Sequence, residues 1–261
     1  MPKFDKIAHG TADVIRKVTG REKYKYTAAV ILAAGSSTRM GGTDKQFLEL
    51  DGMPVIARSV KAFEDAPCIR EIVIVTKPES VDKIRELCEK YGFKKIRAIV
   101  KGGETRQESA WLGFAELADE TEFVAIHDGA RCLVTPHMIE DVARQAYLFG
   151  GATAACPVSD TVKRTEKRKF IVETLDRDQI WLAQTPQIFS ANLYRAAAYT
   201  AREAGFTGTD DCSLAERIKY NTVQLVDCGR ENMKITTPED IFFAEAFLAL
   251  RKKREENENA Q

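Results

Sequence analysis

Residues 27–35 read TAAVILAAG. The apolar, partly β-branched run stops at Gly35, which is typical of a buried strand that ends in a loop. Short runs of the same kind recur as EIVIVT at 71–76, KIRAIV at 95–100 and FVAIHD at 123–128. We predict a strand at each of these four runs.

Helical spacing of apolar residues separates the predicted strands, with helices expected at 54–64, 79–91, 104–118 and 136–149. Strands that alternate with helices of this length indicate crossover connections between parallel strands. The sequence therefore predicts an α/β fold, a mainly parallel sheet with helices on both faces.

The alternation breaks after residues 150–151, a pair of glycines. Residues 153–189 contain short strand-like runs, a charged turn at 166–169 and little helical spacing. This pattern favours an antiparallel β-arm over about 157–187 that protrudes from the sheet. The remaining elements are expected as helices at about 190–204 and 210–219, a strand at 222–228 and a helix from Pro238.

A single domain over residues 27–250 is favoured over two smaller domains. Residues 1–26 are charged and are treated as an amino-terminal extension. Residues 251–261, RKKREENENAQ, are treated as a polar tail. We expect this tail to fray, because it has no apolar side chain to anchor it.

The charge balance excludes some classes of protein. The 261 residues carry 39 Lys and Arg against 39 Asp and Glu, whereas nucleic-acid coats and polybasic membrane binders need an excess of positive charge.

The longest apolar run, 28–34, is far shorter than the roughly 20 residues that span a bilayer, and no secretory signal is visible. Six cysteines are scattered without a CxxC pair, which indicates free thiols in a reducing compartment. We expect a cytoplasmic protein without a nucleic-acid or membrane partner.

A loop suited to phosphate follows the first predicted strand. It runs from Gly35 to Gln46 and combines glycines and hydroxyls with the cations Arg39 and Lys45. Glycines let the backbone approach a ligand, and exposed N–H groups donate to phosphate oxygens. The loop matches neither a P-loop nor GxGxxG, and composition alone leaves open a surface loop with incidental charges.

Two further loops follow predicted strands. In GGETRQES (102–109) the paired glycines could admit a base or ribose and Ser109 could donate a hydrogen bond. By itself, however, this segment favours a strand end and a helix cap with a solvated Arg106. In HDGAR (127–131), Asp128 presents a hard oxygen suited to Mg²⁺ or ribose, although a surface pair of Asp and Arg is also open. His127 is expected to be a buried, hydrogen-bonded residue.

Two other motifs have a functional and a structural interpretation. Asp176-Arg177-Asp178 matches the Asp-x-Asp metal motif of nucleotide-sugar glycosyltransferases, although a three-residue match is weak. Lys234 precedes a Thr-Pro helix start, and it could simply be a solvated lysine beside a capped helix.

Taken together the motifs resemble those of a known family. The strings AAGSSTRMGG…DKQF, GGETRQES, HDGAR, SDTVKR, LDRDQIWLAQTPQIF, TDD and ENMKITTPEDI occur in the order found in 2-C-methyl-D-erythritol 4-phosphate cytidylyltransferases. The resemblance covers about residues 27–250. It implies a nucleotidyltransferase-type, Rossmann-like sheet and a β-arm that interlocks with a partner subunit in a homodimer.

The resemblance also implies an activity, the transfer of a cytidylyl group from CTP to 2-C-methyl-D-erythritol 4-phosphate with release of pyrophosphate, in non-mevalonate isoprenoid synthesis. It implies Mg²⁺ or another divalent cation, with Asp128 as a candidate ligand. The implied catalytic residues are Arg39, Lys45, Arg177 and Lys234. The implied nucleotide-binding residues are Ala33, Ala34, Gly35, Gly103, Glu104, Ser109 and Asp128. The implied substrate-binding residues are Thr161, Arg177, Thr185, Thr209 and Lys234, with Thr161 and Arg177 on the arm and able to serve the other subunit.

Three alternatives stay open. A ribitol-5-phosphate cytidylyltransferase would resemble this chain in its fold and nucleotide loops, although those proteins usually lack the Asp-Arg-Asp-x-x-Trp pattern at 176–181. A nucleotide-sugar glycosyltransferase would use Asp176 and Asp178 for metal. A non-catalytic nucleotide-binding module would not need the cationic side chains of Arg39, Lys45, Arg177 and Lys234.

Overall fold

The structure is a computed structural model that describes residues 24–35, 44–166, 169–219 and 223–259. Arg39 and most of the amino-terminal extension lie outside the described residues. Tyr24 and Tyr26, which we assigned to the extension, belong to the domain. The Tyr24 hydroxyl donates to Glu140 at 2.5 Å, and the backbone N–H of Tyr26 donates to Glu122 at 3.0 Å.

The central sheet has seven strands. In chain order the strands of the molecule are β1 (Thr27–Ala33), β2 (Glu49–Leu50), β3 (Met53–Pro54), β4 (Ile69–Thr76), β5 (Ile96–Lys101), β6 (Phe123–Asp128), β7 (Gly151–Pro157), β8 (Lys163–Thr165), β9 (Ile171–Thr174), β10 (Trp181–Ser190) and β11 (Gln224–Asp227). The central sheet has the order β11-β7-β10-β6-β1-β4-β5. Only β10 runs antiparallel to its neighbours in it, so the predicted mainly parallel sheet is confirmed.

The helices lie where apolar spacing predicts them, with small differences at their ends. They are α1 (Val55–Asp65), α2 (Val81–Tyr91), α3 (Arg106–Ala115), α4 (Pro136–Phe149), α5 (Ala191–Glu203), α6 (Asp211–Arg217) and α7 (Glu239–Asn259). The Thr135 side chain caps α4, and Pro136 occupies its first turn, where the missing N–H of proline costs nothing. Gly92 ends α2 in a left-handed conformation with φ 65°, which glycine adopts without strain.

Helices cover both faces of the sheet, as predicted. Along β1 the side chains alternate: Ala29 and Ile31 join a core with α1, α2 and α4, whereas Val30 and Leu32 join a second core with α3, α5 and α6. Successive residues of a strand point to opposite faces, so a strand buried on both sides is apolar throughout. This is the physical reason for the unbroken apolar run at residues 28–34.

The carboxyl-terminal helix corrects one expectation. Residues 251–259 do not fray but continue α7 to Asn259. Arg251 Nε and Arg254 Nη1 each lie 2.9 Å from a carboxylate oxygen of Glu231. These ion pairs anchor a segment that has no apolar anchor of its own.

An antiparallel excursion separates β7 from β10. It includes the two-stranded sheet β8–β9, whose residues are all exposed. The expected end of the arm at residue 187 is wrong, because residues 184–187 are buried in β10 within the central sheet. The excursion therefore covers residues 158–180, and it leaves from the sheet edge where β6 also ends. In the described residues no helix is both long and apolar enough to cross a membrane.

Candidate active site

A cavity of about 420 Å³ lies at the carboxyl ends of the parallel strands, where ligands bind in open α/β sheets. It is lined by Leu32, Ala34, Gly35, Lys45, Gln46, Gly103, Glu104, Thr105, Arg106, Ser109, Asp128, Ala130, Lys234 and Thr236. Of the expected nucleotide-binding residues, Ala33 alone does not line it, since its side chain is packed in the core below.

The loops after β1 and β5 touch each other at the cavity. Gly102 lies between them, and a Cβ atom at that position would overlap Ala34 Cβ and lie 2.9 Å from Ser109 Oγ. Glycine at position 102 thus allows the two loops to approach closely. That approach brings Ala34 and Gly103 to one cavity.

The amino terminus of α3 forms one wall. The Thr105 side chain accepts a hydrogen bond from the Glu108 N–H at 3.0 Å, and Glu108 accepts one from the Glu104 N–H at 2.8 Å. The Gly103 N–H donates to Ser109 Oγ at 3.1 Å. A helix amino terminus carries partial positive charge and favours anions, so this wall suits a phosphorylated ligand.

Lys45 forms part of another wall. It begins a short 3₁₀ helix, Lys45–Phe47, that is capped by the Asp44 side chain, and Asp44 is itself 3.1 Å from Lys77 Nζ. Lys45 Nζ donates to the carbonyl oxygen of Ile235 at 2.8 Å. Because Ile235 follows Lys234, this bond brings the first loop and the carboxyl-terminal segment to the same cavity.

Asp128 sits among three cations. Its Oδ1 accepts from Arg106 Nε at 3.1 Å, its Oδ2 accepts from Lys234 Nζ at 2.8 Å, and Arg131 Nε lies 3.8 Å from Oδ2. Burial works against the charged carboxylate, but the neighbouring cations together hold the pKa of Asp128 well below its usual range. Asp128 is therefore a carboxylate and not a carboxylic acid.

Arg106 was expected to be solvated, and this expectation is wrong. Its Nη1 lies 2.6 Å from Asp211 Oδ2 while its Nε contacts Asp128. Burial opposes the charged guanidinium, but the carboxylates of Asp211 and Asp128 outweigh burial and raise the pKa of Arg106. Sequence reasoning missed both Arg106 and Asp211 as site residues, because they are partners 105 residues apart. The TDD motif at residues 209–211 contains Asp211 and was the sequence feature that could have indicated it as a site residue.

Thr185 forms hydrogen bonds with both Asp128 and His127. Thr185 Oγ1 accepts the Asp128 N–H at 3.0 Å and is 3.1 Å from His127 Nδ1. His127 is fully buried, and burial lowers its pKa to about 3, which confirms the expected structural histidine. Thr185 is also buried and is absent from the lining of the cavity.

The remaining expected substrate residues lie outside this cavity. Arg177 is exposed, and its Nη1 donates to the Ser159 carbonyl oxygen at 3.0 Å. Thr161 and Thr209 are exposed as well. A second cavity of about 390 Å³ lies at the base of the excursion, with Arg131, Ser159 and Arg230 in its lining.

The Asp-x-Asp motif has a structural use. Asp176 caps the 3₁₀ helix Arg177–Gln179 by accepting the Asp178 N–H at 3.2 Å, and it also accepts from Gln179 Nε2. Within the part of the chain that the structure describes, no group of three or more His, Cys, Asp or Glu side chains could hold a metal ion. Asp176 and Asp178 therefore do not belong to such a cluster.

Comparisons with known proteins show the family of the chain. A family model described as 2-C-methyl-D-erythritol 4-phosphate cytidylyltransferase matches residues 27–250. The protein of that name from Caldanaerobacter subterraneus subsp. tengcongensis is 45% identical over 223 residues, 85% of this chain and 98% of the relative. Its namesake from Geobacillus kaustophilus is 43% identical over 225 residues, 85% of this chain and 97% of the relative.

Solved structures resemble the fold too. The crystal structure of 4-diphosphocytidyl-2C-methyl-D-erythritol synthase from Anaerococcus prevotii matches with a TM-score of 0.79 and 31% identity. The match covers 86% of this chain and 96% of that chain.

Proposed function

This chain belongs to the 2-C-methyl-D-erythritol 4-phosphate cytidylyltransferase family, and we propose that it transfers the cytidylyl group of CTP to 2-C-methyl-D-erythritol 4-phosphate. A phosphate oxygen of the acceptor attacks the α-phosphorus of CTP in line. The bond from that phosphorus to the bridging oxygen breaks, and pyrophosphate leaves. The product is 4-diphosphocytidyl-2-C-methyl-D-erythritol, in non-mevalonate isoprenoid synthesis.

One observation carries the proposal: Lys45 and Lys234 line the same cavity, although they come from opposite ends of the domain. Transfer between two phosphates depends on positioning and on neutralising negative charge. Lys45 stabilises the α-phosphate and the leaving pyrophosphate. Lys234 holds the attacking phosphate, and Arg39, in the loop outside the described residues, adds positive charge.

The nucleotide occupies the wall formed by the two loops that meet at Gly102. Ala34 and Gly35 present backbone groups to the triphosphate, and Ala33 supports them from the core. The base and ribose lie against Gly103, Glu104 and Ser109. The α3 amino terminus, which carries partial positive charge at this wall, supports the placement.

A divalent cation, which we take as Mg²⁺, neutralises the phosphates when it is bound. Asp128, which lines the cavity together with Glu104, would contribute one oxygen to it, and the neighbouring cations that lower the pKa of Asp128 keep this carboxylate ionised. Mg²⁺ usually takes one or two carboxylates and completes its shell with phosphates and water. The donor set therefore fits a metal that arrives with the triphosphate.

We also propose a homodimer formed through residues 158–180. Arg177 and Thr161 lie outside the cavity of their own chain, which supports their serving the cavity of a partner. Exposed apolar side chains at Phe170, Ile171 and Leu182 support an interface there. Thr185 serves the acceptor site indirectly, by accepting the Asp128 N–H, and Thr209 is proposed to bind the acceptor although it lies outside the lining of the cavity. The six cysteines are all free and buried, which supports a cytoplasmic protein.

The test is pyrophosphate release from CTP in the presence of Mg²⁺, with either 2-C-methyl-D-erythritol 4-phosphate or ribitol 5-phosphate as acceptor. We expect release with the former, little with the latter, and none after EDTA is added. Turnover of ribitol 5-phosphate alone would assign the second cytidylyltransferase class. No CTP-dependent release with either acceptor would contradict the proposed reaction.

A further inference from the structure

We propose that Arg106 and Asp211 are positioning residues, which hold Asp128 and through it Lys234 in the geometry that the reaction needs. The inference rests on the proposed function. The four side chains form a continuous series of ion pairs, Lys234–Asp128–Arg106–Asp211, called the charge chain below.

The deep end of the charge chain is fixed. The Asp211 side chain is only 1% exposed, and the Tyr194 hydroxyl donates to its Oδ1 at 3.4 Å. Gln187 Oε1 accepts the Asp211 N–H at 2.9 Å, and Gln187 Nε2 donates to Asp210 at 2.8 Å. Asp211 is therefore held by its backbone and its side chain, and it is a rigid anchor for Arg106.

The exposed end of the charge chain is the reacting end. The two ends of the series differ most in exposure, because the Asp211 side chain is 1% exposed and the Lys234 side chain is 36% exposed. Lys234 has a flexible four-carbon stem, and a carboxylate partner 2.8 Å from its Nζ limits that freedom. A fixed Asp128 therefore determines where the ammonium group of Lys234 meets the attacking phosphate.

Arginine suits the bridging position for a geometric reason. Its planar guanidinium presents donors in a fixed fork, and here Nε contacts Asp128 while Nη1 contacts Asp211. A lysine at position 106 would keep the charge but would offer one nitrogen for two carboxylates. The Arg106→Lys substitution therefore keeps the positive charge at position 106 but removes the bridge between the two carboxylates.

In Arg106→Lys we expect kcat to fall about 10- to 100-fold, because small misplacements of reacting groups have effects of this size. The Kd for CTP, measured by calorimetry without acceptor, should not change. Arg85→Lys, on an exposed site of α2, is the matched control and should keep the wild-type kcat. A wild-type kcat in Arg106→Lys would overturn the inference. A loss in kcat/KM that comes entirely from a higher Kd for CTP, with kcat unchanged, would also overturn it, because Arg106 would then bind the nucleotide.

A second pair of variants distinguishes positioning from folding. Arg106→Ala leaves the buried Asp211 carboxylate without its counterion, which destabilises a protein strongly, so this variant should have a lowered Tm. Adding Asp211→Asn removes the unpaired charge and should restore most of the Tm while kcat stays low. Recovery of both Tm and kcat in the double variant would show a purely structural role and refute positioning.

These outcomes are separate from those of the proposed function. The wild-type protein is assayed in parallel, and its failure to release pyrophosphate would overturn the function. A wild-type protein that turns over alongside a fully active Arg106→Lys would overturn the positioning role alone.

Discussion

At Asp128 a single carboxylate contacts two cations directly and lies near a third. A buried ion pair is a weak source of stability, because desolvation offsets most of the attraction. Three cations against the carboxylates of Asp128 and Asp211 leave the cluster with an excess of positive charge. Such an excess disfavours the empty protein and favours an anionic ligand, which is the pattern expected of a binding site.

Lys45→Ala should lower kcat about 10²- to 10³-fold, the usual effect of removing one donor that stabilises transition-state charge. The Kd for CTP should rise much less, because other groups of the cavity still bind the nucleotide. Steady-state kinetics and calorimetry measure the two effects. Lys61→Ala, in an exposed pair with Asp65 on α1, controls for the loss of a lysine. A loss confined to CTP binding would make Lys45 a simple anchor.

Single residues were predictable where they follow a strand end. Lys45 lies in the loop after the first predicted strand and Asp128 is the last residue of the fourth, and the structure places both at the cavity. Arg106 was predicted to be a solvated residue near a helix cap, because no local sequence pattern indicates an ion-pair partner such as Asp211, 105 residues away. Ion pairs between distant segments depend on the tertiary fold, so short-range sequence patterns do not reveal them.

The loop between β5 and α3 shows how an element is positioned. Its glycine at 102 allows a close approach to Ala34 of the β1 loop, and the Thr105 cap fixes the start of α3, whose first residue, Arg106, lines the cavity. Strand and helix positions were largely predictable, because the spacing of apolar residues reflects their burial on the two faces of the sheet. The ends of α7 and of the excursion were not, because ion pairs to Glu231 and burial in β10 set those limits.

Gly102→Ala should destabilise the protein by about 1–3 kcal/mol, the usual effect of forcing extra volume into a packed site. The added methyl group would push the β5–α3 loop away from Ala34, so CTP binding should weaken as well. Denaturant unfolding and calorimetry test both effects.

Gly35→Ala is the control for stability, since a Cβ there meets no atom of the described residues within 4 Å. The unfolding free energy of this variant should stay close to the wild-type value. Equal stabilities of the two variants would mean that the close approach at Gly102 does not constrain the loop.

At the scale of the whole molecule, the sheet order explains where the excursion points. β10 returns antiparallel between β6 and β7, so the chain between β7 and β10 must leave and re-enter at the edge that carries the cavity. An exposed two-stranded segment at this edge is well placed to reach a second molecule's cavity. Sequence periodicity predicted the excursion but not a second subunit, because a pattern within one chain carries no information on how chains assemble.

Mixing Arg177→Ala protein with Lys45→Ala protein should restore part of the activity. In a hybrid dimer one of the two shared cavities has both residues intact. The mixture is incubated until subunits exchange, which differently tagged chains report, and pyrophosphate release is then measured. Each variant alone is the control. A mixture that exchanges subunits yet stays inactive would show that Arg177 does not act across the interface.

The charge chain joins residues far apart in the sequence, with ion pairs that span 22, 105 and 106 residues. Contacts over such separations form only after long loops have closed, and this makes them slow steps in folding. A nascent chain synthesised only as far as α5 contains every strand of the central sheet except β11 and most of the residues that line the cavity, but neither Asp211 nor Lys234. During synthesis most of the sheet therefore precedes the charge chain, and a product truncated after α5 would contain Lys45 but would lack Lys234 and the Asp211 anchor.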